Sequence, residues 1–250
     1  IKDLNFDLDI KDAKANGMLS FSLNVADKQL DFLNLNARYL NAGKLILKDV
    51  DLSALQGQRG KGSVKIQEAE FAGLKVNNIK GLAVLEGVIL SLDKISGQFL
   101  SKRMVGEMTL NLWPILECTA NAKVGRISAA ALAREFGWGN KIKLSGRLFA
   151  KTIFRSEGIS LAMLNVNFIA AAPGASMVIN DPKILNAISR QSRQPLANVK
   201  EEFSNYVYEK GSIAAALLED TLDLRIVLVG PRGRKSLRFN LKDVNIFGEN

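Results

Sequence analysis

The chain has 250 residues, 47% apolar and 24% charged, which is enough to bury a core and excludes a disordered or fibrous polypeptide. It has no His and one cysteine, Cys118, so a histidine base, a thiolate metal site and an internal disulfide are excluded. A net charge of +9 and a pI near 9.6 favour anionic partners, either nucleic acid or phospholipid head groups.

The N-terminal residues set the dominant pattern. Leu4, Phe6, Leu8 and Ile10 alternate with Asp3, Asn5, Asp7 and Asp9, so one strand face is apolar and the other polar. A turn is expected through Ala13–Gly17, followed by a second alternating run of Leu19, Phe21, Leu23 and Val25. The same period returns at Val64–Ile66, Met108–Leu112, Ile142–Leu148, Leu222–Leu228 and Leu237–Leu241. Turn residues at Asn41–Gly43, Glu86-Gly87 and Glu157-Gly158 separate the runs, as in hairpins of an antiparallel sheet. Three segments open alike, with Gly43, Gly87 and Gly158 each leading into a strand, which is a degenerate turn-plus-strand unit.

In several runs the alternation slips by one residue. Leu45 and Leu47 give way to Val50 and Leu52, and Leu90 and Leu92 to Ile95. Leu161 and Met163 give way to Val166 and Phe168, and Leu237, Phe239 and Leu241 to Val244 and Ile246. A one-residue shift moves the apolar set to the wrong face unless an extra residue bulges out. The slips therefore predict long, bulged, curved strands, or shorter strands that end at each slip.

Helical signals are few and lie late in the chain. Helices are expected over about 128–137, 182–192 and 195–210. The first has Ser128 as N-cap and Gly137 as stop; the second opens on Asp181-Pro182; the third begins at Pro195 and ends at Gly211. No linker-like change in composition interrupts 1–250, so a single domain is expected.

No reactive constellation stands out. Gly57–Ser63 and Gly230–Ser236 are glycine-basic clusters, but strand alternation resumes after Ser236, where a phosphate loop needs a helix; both read as basic turns. Asp7/Asp9 and Glu68/Glu70 lie on polar strand faces, where solvated charge is the ordinary reason for such spacing. Cys118 has no basic neighbour in sequence to activate it. The expectation is a non-enzyme with no catalytic residues, no metal and no cofactor. Nucleic acid is not the expected partner either, because Phe6, Phe21, Phe99 and Phe239 sit on apolar strand faces and not on a stacking surface.

What remains is a wide apolar sheet face that something must cover. Periodicity alone favours two sheets packed as a sandwich; the alternative is a curved sheet folded into a trough that takes lipid chains. A basic β-domain for nucleic acid stays a further alternative. So does an interaction domain whose edge strand, Ser236–Phe247, pairs with a partner.

From about Ile127 to the end, an ordered series of segments carries a family likeness. It runs through Ser128–Gly137, Lys143–Leu148, Gly158–Leu161, Ala171–Gly174, the segment holding Phe203 and Tyr206, Leu222–Gly233 and Arg238–Leu241. In these the chain resembles the C-terminal region of AsmA-like envelope proteins, most closely the YdbH-like branch. The resemblance implies a mainly β fold, with a long curved antiparallel sheet forming an apolar groove. It also implies non-enzymatic phospholipid transport between inner and outer membranes, in the periplasm, by a protein anchored in the inner membrane. Ile1-Lys2-Asp3-Leu4 already reads as strand and no stretch of about 20 apolar residues occurs, so the anchor is expected to precede these residues in a longer protein.

On this reading acyl chains are lined by Leu144, Leu148, Leu161, Met163, Phe168, Leu222, Leu224, Ile226, Leu237 and Phe239. Head groups meet the basic turn of Arg232, Arg234 and Lys235. Edge strand 236–247 is available to an envelope protein.

Overall fold

Alternating residues form strands whose neighbours in sequence are mostly neighbours in the sheet. The computed structural model describes residues 4–10, 13–24, 26–42, 45–71, 74–135, 139–157, 160–171, 174–218 and 221–242. Fourteen strands among them form one open, antiparallel order: β1 (Leu4–Ile10), β2 (Ala13–Asn24), β3 (Gln29–Ala42), β4 (Leu45–Leu55), β5 (Gly62–Phe71), β6 (Leu74–Glu86), β7 (Ile89–Phe99), β8 (Lys102–Asn111), β9 (Glu117–Ser128), β11 (Arg147–Glu157), β12 (Ser160–Ala170), β15 (Lys210–Leu218), β16 (Thr221–Gly230) and β17 (Gly233–Lys242). The strands β10 (Ile142–Leu144), β13 (Ala175–Ile179) and β14 (Tyr206–Tyr208) form a second, small sheet. The mainly β, antiparallel reading of the sequence is therefore correct. Contacts divide the chain into two units, Ile1–Lys123 with Ile153–Ala162, and Val124–Thr152 with Met163–Asn250.

In the first unit the register stacks apolar residues in rows. Leu19 faces Leu35, Leu35 faces Leu52, and Leu52 faces Val64; a second row runs Gly62, Ala83, Leu92 and Met108. Residues opposite each other share a face, so these rows build one apolar side. Its buried centre is Leu52, Ala54, Val64, Ala83, Leu85, Leu90, Leu92 and Ile95. The other side carries cross-strand ion pairs, Lys48–Glu68 at 2.6 Å and Lys75–Glu70 at 3.3 Å.

Left-handed residues lie at two of the slips. Asp49 (φ 49°) separates Leu47 from Val50 while β4 keeps an unshifted register with β3 and β5, and Lys94 (φ 51°) separates Leu92 from Ile95, where the register does shift. In β7 two residues oppose one of β8 between the pairs Leu92–Met108 and Ile95–Gly106, so Leu92 and Ile95 enter one core despite their odd spacing. Asn78 (φ 54°) is a further left-handed residue, in β6, that the sequence pattern did not mark. Arg38 is the extra residue of β3 between the pairs Asn16–Tyr39 and Gly17–Ala37. The turn expected over Ala13–Gly17 is instead part of β2; Gly17 lies within the strand, where a Cβ would meet Ala37 Cα at 2.7 Å.

At one end of this unit the sheet curls until strands that are not neighbours meet. The Leu30 N–H donates to Gly87 O (3.0 Å), joining β3 to the β6–β7 turn, and the Gly57 N–H donates to Leu85 O (2.8 Å). Gln56 bridges Leu85 in the parallel sense and donates to Asp31 O at 2.9 Å. The apolar side closes on itself here, around fully buried Leu85 and Leu90.

In the second unit three helices accompany the sheets: α1 (Ala129–Glu135), α2 (Pro182–Ser192) and α3 (Leu196–Glu202). Asp181 caps α2 by accepting from the Lys183 and Ile184 N–H groups, and Arg193 ends it in a left-handed conformation. The third helix is shorter than expected. It stops at Phe203, and Tyr206–Tyr208 alternates as strand β14 against β13, because both tyrosines are drawn into the core. The run Ile142–Leu148 is also broken, at Ser145-Gly146, so that β10 and β11 belong to different sheets. Contacts along β14 attach the small sheet: Tyr206 Oη donates to Gly233 O (2.9 Å), the Glu209 N–H to Val229 O (2.9 Å), and Tyr208 meets Phe168 edge-on at 5.9 Å.

Candidate functional site

The proposed groove lining divides into residues the chain covers itself and residues that point elsewhere. Leu148, Phe168 and Leu237 are buried. Phe168 is held by the Tyr208 ring, so its apolar surface already has a partner in the fold. Leu144 is not in the large sheet at all; it faces Met177 across the small one.

Met163 lies on the side opposite Phe168. The ladder from Leu164 to Ile169 pairs without a shift, and Asn165 Nδ2 donates to Met163 Sδ at 3.2 Å, which places these two on one face. The slip read between Met163 and Val166 is therefore not a bulge in β12. Ile226 does sit in an apolar row, between Ile213 and Leu237, half-buried. Leu224 is registered opposite Ala215 and Phe239, and Leu222 opposite Leu217 and Leu241. The side chains of Leu161, Leu222, Leu224 and Phe239 lie outside the described residues, as do Val244 and Ile246 of the last slip.

The basic turn is a hairpin joining β16 to β17. Arg232 and Arg234 are exposed on it, whereas Lys235 makes an ion pair with Glu202 of α3 and belongs to the packing of the unit. The Gly57–Lys61 cluster is likewise a turn, between β4 and β5, with Arg59 held by Glu86 at 2.6 Å. It borders a cleft of ≈ 290 Å³ lined by Leu82, Val84, Asp93 and Lys94, whose charged wall does not match a hydrocarbon chain.

The first unit offers the apolar surface that sequence reasoning did not place. Leu33, Leu35, Ile66, Ile79, Met108 and Leu110 pack against the buried cluster yet remain only partly buried. The signal for these positions was the same period two, but the family likeness began only at Ile127 and drew the site towards the C-terminal half.

Reactive chemistry has little to work with among the described residues. Burial pushes the Cys118 thiol above its ordinary range, and a hydrogen bond with Ser156 opposes this only in part, so the thiolate nucleophile is disfavoured. Glu68 and Glu70 are both in ion pairs. No group of three or more metal-binding side chains occurs among the described residues, and no helix there is long and apolar enough to cross a membrane. Compared with family models, curated proteins and solved structures, the chain matches none, so the reading of its function rests on the geometry above and on the resemblance in its second half.

Proposed function

We propose that this chain is a non-enzymatic lipid-binding segment of an AsmA-like envelope protein, acting in phospholipid transport between the inner and outer membranes. The observation that carries the reading is the partly buried apolar side of the first unit. Its rows from Leu33 and Leu35 across Ile66 and Ile79 to Met108 and Leu110 border the buried cluster without being fully buried themselves. An acyl chain laid along such rows gains about 0.8 kcal/mol for each methylene it buries. The work is shielding, in the periplasm, and the protein holding this segment is anchored in the inner membrane.

Organic extraction of protein purified gently from a bacterial host, followed by mass spectrometry, tests this. Bound phospholipid is expected, and Ile66→Arg, which sets a charge in the middle of the rows, is expected to lower its yield several-fold. Lipid-free wild-type protein contradicts the proposal.

A second reading has its own observation. β17 ends the strand order, and its described edge carries Arg234, Ser236 and Arg238, all exposed. Such an edge can pair with a strand of an envelope partner. Ser236→Pro removes a backbone donor from it and is expected to abolish that capture while circular dichroism stays β-rich; unchanged capture discards the reading.

A further inference from the structure

The closed end of the first unit gathers exposed apolar side chains on its turns. Five of the nine large apolar residues strongly exposed among the described ones lie there: Leu23, Ile89, Trp113, Ile115 and Leu116. Hydrogen bonds bring these turns together. Leu23 faces Leu30, whose N–H donates to Gly87 O; the Leu112 N–H donates to Val88 O (3.0 Å), which sets the β8–β9 loop beside the β6–β7 turn. In the loop Trp113 is 65% exposed, Ile115 51% and Leu116 43%. From Met108 to Leu116 the chain has no charged residue. A large core lies one strand away, yet these side chains turn from it.

We propose that the loop Trp113–Leu116 is a membrane-docking tip that seats at the interface of a phospholipid bilayer. Two features select a bilayer over a protein. Trp joins an apolar body to an N–H donor and so favours the head-group boundary, with Ile and Leu reaching just below it. Finally, the charged residues on the adjoining turns, Asp27, Lys28, Arg59, Lys61 and Glu86, are exposed and of both signs, so they stay in water and create no strong field of one sign.

The last point makes the tip distinguishable from the basic turn at Arg232 and Arg234. Association through the tip needs no anionic lipid and resists salt, whereas contact through arginines weakens as salt rises.

The test is flotation of the full chain with phosphatidylcholine vesicles at low and high salt, alongside Trp113→Ala/Ile115→Ser/Leu116→Ser. Wild-type protein is expected to float at both salt concentrations, and the triple variant to lose at least tenfold in partitioning. With Trp138→Phe, leaving Trp113 as the single tryptophan, its emission is expected to shift blue with vesicles and to be quenched by brominated acyl chains. A triple variant that floats as well as wild type, or a Trp113 emission indifferent to vesicles, overturns the proposal. So does a blue shift on raising protein concentration without lipid, which assigns the tip to a second copy. Lipid retained after purification reports on the groove alone: a variant that keeps it but no longer floats separates the two proposals.

Discussion

Tyr208 shows how one buried side chain sets a pH limit. Burial pushes its phenol up to about 12. The same phenol in the unfolded chain titrates near 10, so between these values the unfolded state gives up a proton that the folded state keeps. Stability is therefore fully present below about pH 10 and falls as pH rises towards 12, by about 2–3 kcal/mol. Tyr206, also raised by burial, adds in the same direction. Urea unfolding at a series of alkaline pH values should show this decline, and Tyr208→Phe should flatten most of it. Tyr208 was legible in sequence only as part of a helix, because Tyr-Val-Tyr is too short a run to display a period of two against Pro195 and its helical stripe. What made it strand was the tertiary partner, the β13 ladder together with Phe168.

Among elements, the strands whose alternation slips were the most readable from sequence. Asp49 and Lys94 adopt positive φ at the two slips in Leu45–Leu52 and Leu90–Ile95. A left-handed residue costs about 1 kcal/mol or more when it carries a Cβ, and glycine is free of that penalty. Asp49→Gly is accordingly expected to be neutral or mildly stabilising in thermal unfolding, while Asp49→Val destabilises by about 1–2 kcal/mol through its branched Cβ. A destabilising glycine and a neutral valine would remove the left-handed conformation of Asp49 from the explanation. The slip at Met163–Val166 looked the same in sequence, but Met163 and Phe168 simply belong to two different sides of β12, as the unshifted ladder and the Asn165–Met163 hydrogen bond show. Helix α2 was legible to the residue because its signals are local: an Asp cap, a proline in the first turn and a left-handed stop.

For the molecule as a whole, charge and apolar surface are distributed unequally. The second unit carries 17 basic and 10 acidic residues and the first 17 and 15, so most of the net +9 belongs to the unit holding Arg232 and Arg234. The partly buried apolar rows beside the core belong to the first. Sequence by itself determined the antiparallel β class, the hairpin connectivity, the bulge between Leu92 and Ile95 and α2, because strand period, turn residues and caps act over a few positions. Only the tertiary structure decided how deeply each apolar residue is buried. Leu148, Phe168 and Leu237 carry the same alternation as Leu35 or Ile66, but the former are fully buried, Phe168 against a strand more than thirty residues away, and the latter stay only partly buried beside the core. Alternation fixes which side a residue takes; whether another part of the chain covers that side depends on contacts between residues far apart in sequence.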